Sequence, residues 1–141
     1  PCVEWDVRAL VNHVAGELLW MPPLLDGKTI AEMGDRFEGD VLGAGPLSVW
    51  TAGAAAVKEA VGQPGVQERI VHLSFGDFPG EAYLAQVTTD LVLHSWDLAR
   101  AVGRRDPLSS GLIQFVDDFL TPQIDAWRSG GAFGTASRVT C

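Results

Sequence analysis

Cysteine is nearly missing from this sequence: two residues in 141, Cys2 and Cys141, stand at opposite ends. Such a pair makes no disulfide framework, and a reducing, cytoplasmic compartment is the expectation. Basic charge is scarce as well. Ten Lys and Arg face eighteen Asp and Glu, a formal net charge of −8. A phosphate-backbone binder needs a basic patch, so no nucleic-acid partner is expected. No uninterrupted apolar run approaches the roughly 20 residues that span a bilayer, so no membrane partner is expected either. No signal-peptide pattern precedes the first motif. The chain opens at Pro1 rather than at methionine, and we expect it to be part of a longer gene product.

What remains is an ordinary globular composition, 47% hydrophobic and 20% charged. That is too apolar for a disordered chain and enough for one domain with a real core. Apolar residues recur at three- and four-residue steps through Val7, Leu10, Val11, Val14 and Leu18, which predicts a first helix. Asp6 is placed to cap it, and Pro22-Pro23 should disrupt or end it. Residues 24–46 are broken by glycines and read as a long connection with one short turn near Ile30–Met33. Pro46 suits the first turn of a second helix running through Trp50 and Ala54–Ala56 to about Gly62. Residues 69–75 alternate like a strand, but with no second strand evident they read as an unpaired extended segment. Gly76 to Gly80 should open a third helix ending near Val102. A fourth begins at Ser109 or Ser110 and meets Pro122. Residues 129–141 are small and polar and read as a tail or the start of a missing segment. The expected architecture is all-α, a four-helix bundle with long inter-helix connections over residues 1–128.

One helix carries an anomaly. On a wheel, Tyr83, Val87, Asp90, Leu91, His94, Leu98 and Ala101 share one face of the third helix. Asp90 and His94 therefore lie in the apolar stripe, where an unpaired carboxylate costs several kcal/mol in effective terms. Their i, i+4 spacing brings the two side chains together, close enough to reach one cation. A plain Asp–His hydrogen bond, or a face partly open to water, accounts for the same spacing. His13 lies at the margin of the first helix's stripe. With Asp90 and His94 it completes a two-histidine, one-carboxylate set that leaves coordination positions open. Glu17, one turn after His13, is read as a solvated charge rather than an acceptor for an imidazole N–H.

The string Pro1-Cys-Val-Glu-Trp5-Asp-Val-Arg-Ala-Leu-Val-Asn-His13 resembles the opening motif of the mycothiol-dependent maleylpyruvate isomerase-like metal-binding proteins, within the wider DinB/YfiT-like superfamily. Asp90-Leu-Val-Leu-His94-Ser-Trp-Asp-Leu-Ala-Arg-Ala101 is similar to that family's second motif, and the likeness extends over residues 1 to about 128. It implies a DinB-like four-helix bundle of actinobacterial type, with a divalent metal held by His13, Asp90 and His94. Zinc is the first expectation, with nickel or iron also suited to such ligands. It further implies mycothiol as a cofactor. A metal-stabilised thiolate would attack a small electrophile, in a transferase or isomerase. Two departures stand out: the helix that usually precedes the first motif and the usual C-terminal extension are both missing. The competing reading is a non-catalytic metal-binding bundle, a sensor or interaction module, whose coordination is closed by Glu17 or His72. A homodimer is left open.

The remaining candidates have plainer readings. His72 is an ordinary loop histidine, Cys2 small buried filler and Cys141 a terminal residue. Asp97 either pairs with an arginine such as Arg8 or orients a ligand. Arg100, Arg104 and Arg105 either bind an anion or complement a helix end. Trp5, Trp20, Trp50, Trp96 and Trp127 are core or helix-packing residues. Gly76 to Gly80 lacks the spacing of a phosphate loop.

Overall fold

The computed structural model describes residues 5–105 and 107–131, which fall into two compact units dividing between positions 106 and 107. The first unit contains α1 (Val7–Leu25), α2 (Ile30–Met33), α3 (Pro46–Val61), β1 (Ile70–Leu73), β2 (Gly76–Pro79) and α4 (Gly80–Ala101). The second holds α5 (Ser110–Leu120) and α6 (Ile124–Ser129). The all-α class is what the structure has: helices dominate, and one two-stranded sheet accompanies them among the described residues.

Side-chain caps open α1, α2 and α5. The Asp6 carboxylate accepts from Ala9 N–H at 2.8 Å and caps α1, occupying a donor that the first turn otherwise leaves open. Arg8 and Asn12 then tie the first turns of α1 to the long connection. The Arg8 guanidinium donates to both Asp40 carboxylate oxygens, at 3.0 and 2.8 Å, and to Gly43 O at 2.9 Å. Asn12 donates to Gly39 O at 2.8 Å and accepts from Val41 N–H at 2.9 Å. Thr29 and Glu32 form a reciprocal capping box on α2, the reason a four-residue helix persists inside a glycine-rich connection. Pro46 occupies the first position of α3, as expected.

α1 packs against both α3 and α4. Gly53 lets α3 approach closely: a Cβ there would meet Leu18 Cβ at 3.3 Å. Leu18, Met21, Leu24, Leu25, Val66, Val71, Tyr83 and Val87 form the core. That core explains the first departure from expectation. Pro22 and Pro23 do not end the helix, which continues to Leu25. A proline in a helix interior costs about 3 kcal/mol, but Met21, Leu24 and Leu25 are all buried, and each such side chain returns roughly 1.5–3 kcal/mol. The turn closes through Asp26 N–H to Pro22 O and Lys28 N–H to Pro23 O, both at 3.0 Å.

The second departure is the hairpin. Residues 70–73 do find a partner: β1 pairs antiparallel with β2, from Ile70 opposite Pro79 to Leu73 opposite Gly76. Gly76 to Pro79 is therefore strand, and the third long helix opens only at Gly80. Gly, Asp and Pro are all poor strand formers, so this strand is held by its place rather than its propensity. Val71 is fully buried in the core, and the hairpin packs on α1 and α4. Gly80 fixes where α4 begins. Its N–H donates to Arg69 O at 2.7 Å, and a Cβ at this position would overlap the Val66 carbonyl.

In the second unit, Ser109 caps α5 through Leu112 N–H. α5 stops at Leu120, just ahead of Pro122, as expected. The short α6 that follows brings Trp127 edge-on to Phe119, with ring centroids 5.9 Å apart. Positions 132–141, most of the expected tail, lie outside the described residues.

Candidate metal centre

His13 rises from α1, held in place by the Arg8 and Asn12 clamps two turns and less away. Asp90 and His94 rise from α4 four residues apart, on the side that meets α1. The three converge. Asp90 Oδ2 lies 3.3 Å from His13 Nε2, and Asp90 Oδ1 lies 3.3 Å from His94 Nε2. One donor atom from each residue falls within 4.8 Å of the other two. Donors around a tetrahedral cation with bonds of about 2.0–2.1 Å stand about 3.3–3.4 Å apart, the separation of Asp90 from each histidine, though through a different carboxylate oxygen in each case.

The polar accounting points the same way. His13 Nε2 and Asp90 Oδ2 are buried and make no hydrogen bond to the described residues. Buried polar atoms are almost always satisfied, and these two lie 3.3 Å apart. A cation between them would satisfy both. Behind His94 stands another carboxylate, with Asp97 Oδ2 3.4 Å from His94 Nδ1. His94 Nδ1 is itself buried without a hydrogen bond among the described residues, so the contact is electrostatic rather than a formed hydrogen bond, and a carboxylate on that side favours a proton at Nδ1 over one at Nε2. Of the arginines, Arg8 is engaged with Asp40, and the contact with His94 places Asp97 where it could orient that ring.

Electrostatics follow from these contacts. Burial pushes the Asp90 carboxyl up, but the close His13 and His94 imidazoles together outweigh it and hold the group well below the ordinary carboxylate range. His94 is raised above an ordinary histidine, chiefly by Asp90 and further by Asp97, against the opposing effect of burial. Glu17 corrects an expectation. It is not a solvated surface charge: burial raises its pKa, and it feels the charges of His13, Asp90 and His94. Burial also raises the Tyr83 hydroxyl, and the Glu17 carboxylate adds to that shift. Glu17 therefore borders the site without entering the three-residue group.

Trp5 is the residue that the plain reading of the tryptophans missed. Its indole lies against both imidazoles, with centroid separations of 4.9 Å to His13 and 5.7 Å to His94. Its place in the first motif, just before the helix cap, was the available signal. Trp20 does pack as expected, edge-on to Phe37, and Trp96 lies under Arg100 at 5.1 Å. Trp50 lines an apolar cavity with Val11, Pro46, Leu47 and Leu98. His72 is in the hairpin, its Nδ1 2.8 Å from Asp77 Oδ1, and outside the three-residue group. Arg105 is exposed beyond the end of α4, and Cys2 and Cys141 lie outside the described residues.

Fold and site together define a class: a helical protein that gathers two imidazoles and a carboxylate from two packed helices. The family model of the mycothiol maleylpyruvate isomerase N-terminal domain matches residues 1–99, and the chain belongs to that family. The chain is also similar to two uncharacterised Mycobacterium tuberculosis proteins, one from strain CDC 1551 / Oshkosh and one from strain ATCC 25618 / H37Rv. Each is 30% identical over 112 residues, covering 79% of this chain and 57% of the relative. The chain thus spans little more than half the length of those relatives. No solved structure matches it. The described helices include none long and apolar enough to cross a membrane.

Proposed function

We propose that this chain is the divalent-metal-binding domain of a cytoplasmic mycothiol-dependent transferase or isomerase, with His13, Asp90 and His94 as ligands. One observation carries the reading: potential ligand atoms of His13, Asp90 and His94 converge from α1 and α4, and two of them, His13 Nε2 and Asp90 Oδ2, are buried without a hydrogen-bond partner among the described residues. Membership of the mycothiol maleylpyruvate isomerase N-terminal family supplies the thiol. Zinc is the first choice of metal, and nickel or ferrous iron suits the same ligands.

The chain's own residues divide the work. His13 and His94 each offer Nε2, while the Asp97 carboxylate near the far nitrogen of His94 would favour a proton there. Asp90 brings the negative charge that balances a cation. When bound, the metal supplies Lewis-acid stabilisation that favours a thiolate over a thiol at neutral pH. The sulfur comes from mycothiol, the thiol for which the family is named. Its target is a small electrophile, an activated double bond or a carbon bearing a leaving group. Glu17 and Tyr83 add polar groups beside the ligands.

The test is metal-dependent conjugation. Purified protein is incubated with mycothiol and either maleylpyruvate or an activated aryl chloride, before and after chelation and after zinc is restored. Turnover that is lost on chelation and recovered with zinc is expected. A protein that binds zinc yet never accelerates either reaction would leave the non-catalytic metal-binding module.

A further inference from the structure

The indole of Trp5 touches the rings of both proposed ligands, and those rings touch each other. The His13 and His94 centroids are 4.9 Å apart with planes at 81°, and Trp5 tilts against them at 47° and 34°. All three separations fall in the range of favourable aromatic pairs. The support behind the two histidines differs. His94 has Asp97 at its far nitrogen, whereas the ion-pair contacts of His13 run to Asp90 alone among the described residues. What lies against the His13 ring is the indole.

We infer that Trp5 is a positioning residue for the metal centre, fixing the ring orientations of His13 and His94 before a cation arrives. The inference rests on the metal reading above. The torsion that turns an imidazole about its Cβ–Cγ bond has broad minima, so a ligand ring that nothing touches sweeps through many orientations. A cation accepts only those that aim Nε2 at it. A flat neighbour in contact with both rings removes that freedom from both at once, which is preorganisation. Trp5 can do this because its own backbone is anchored. It immediately precedes the Asp6 cap, and the turns that follow are tied to the 39–43 loop through Arg8 and Asn12. Trp5 keeps 40% of its surface exposed. Packing alone would call for deeper burial of so large a side chain.

Cobalt(II) titration of the whole chain tests this, with dissociation constant and visible absorption band as readouts. The proteins are the wild type, Trp5→Ala, Trp5→Leu and Trp5→Phe, each checked for helical content and melting temperature without metal. Trp5→Ala and Trp5→Leu should bind cobalt about tenfold more weakly, the lower end of what outer-sphere ligand supports contribute, with an altered band. Trp5→Phe should stay within about threefold with the wild-type band, because a ring still faces both imidazoles. The leucine variant keeps apolar bulk, so it separates ring contact from mere packing should the alanine variant fold poorly. Wild-type affinity and band in Trp5→Leu would overturn the inference, as would a phenylalanine variant no better than leucine. A wild type that takes up no cobalt would overturn the metal reading itself, and this inference with it.

Discussion

Replacing Asp97 with asparagine is the sharpest way to probe how the centre is held. The substitution keeps the shape of the side chain and removes its charge at a position 3.4 Å from His94 Nδ1. Aspartate can only accept a hydrogen bond there, which keeps the proton on Nδ1 and frees Nε2 for a cation. Asparagine can turn its NH2 toward Nδ1 instead. That stabilises the opposite tautomer, with Nε2 protonated and no lone pair to offer. Loss of an outer carboxylate behind a ligating histidine costs 10–100-fold in metal affinity, about 1.4–2.7 kcal/mol. The separation here is longer than a charge-assisted bond of about 2.7–2.9 Å, so the lower end applies, about tenfold. Competition against a chromophoric zinc chelator at pH 7.5 reads this directly. Asp97→Asn should shift the zinc dissociation constant upward about tenfold while stoichiometry stays the same. Affinity within about twofold of the wild type would refute the orienting role of Asp97.

Three further outcomes follow from the same structure. In metal-free protein, His94 has a raised pKa, so its stabilising contribution is complete below about pH 6.5 and fades as pH climbs through the folded-state value. Urea midpoints of wild type minus His94→Gln, measured in chelator from pH 5 to 9, should therefore shrink toward alkaline pH; a flat difference contradicts the assignment. Gly80→Ala would drive a Cβ into the Val66 carbonyl, with main chain on both sides and nothing flexible to yield. Thermal unfolding should show a loss of about 2–4 kcal/mol, and an unchanged melting temperature would mean the α4 entry is looser than described. Leu25→Ala removes a side chain only 1% exposed from the turn that carries Pro22 and Pro23. A cost of about 2–5 kcal/mol is expected in urea unfolding, against well under 1 kcal/mol if that turn frays.

Much of this molecule was legible from local chemistry. The Thr29 and Glu32 spacing behind α2, Pro46 at the head of α3 and Asp6 before α1 are signals contained within four residues, and each element appears where its signal stands. The convergence of His13 with Asp90 and His94 was legible because two charged or polar groups interrupt an apolar stripe, and because both motifs resemble one family. What stayed hidden depends on tertiary contacts. β2 is a strand only because Val71 opposite it is buried and the hairpin rests on α1 and α4. The Pro22-Pro23 pair stays helical because the core receives Met21, Leu24 and Leu25. Glu17 looks like a surface charge on a wheel of its own helix, and its neighbours Asp90 and His94 come from α4, a contact no single helix reveals. Trp5 lies outside the helical periodicity altogether, so no wheel could place it against the ligands.

The central claim is that three side chains on two helices hold one divalent cation. Zinc content per chain after chelation and reloading, measured by inductively coupled plasma mass spectrometry, tests it most directly. The comparison is wild type against His13→Ala, Asp90→Ala and His94→Ala, with folding of each verified by circular dichroism. One zinc per chain in the wild type and loss of it in all three variants is the predicted result. A folded wild type without zinc, or folded variants that retain a full equivalent, would contradict the account.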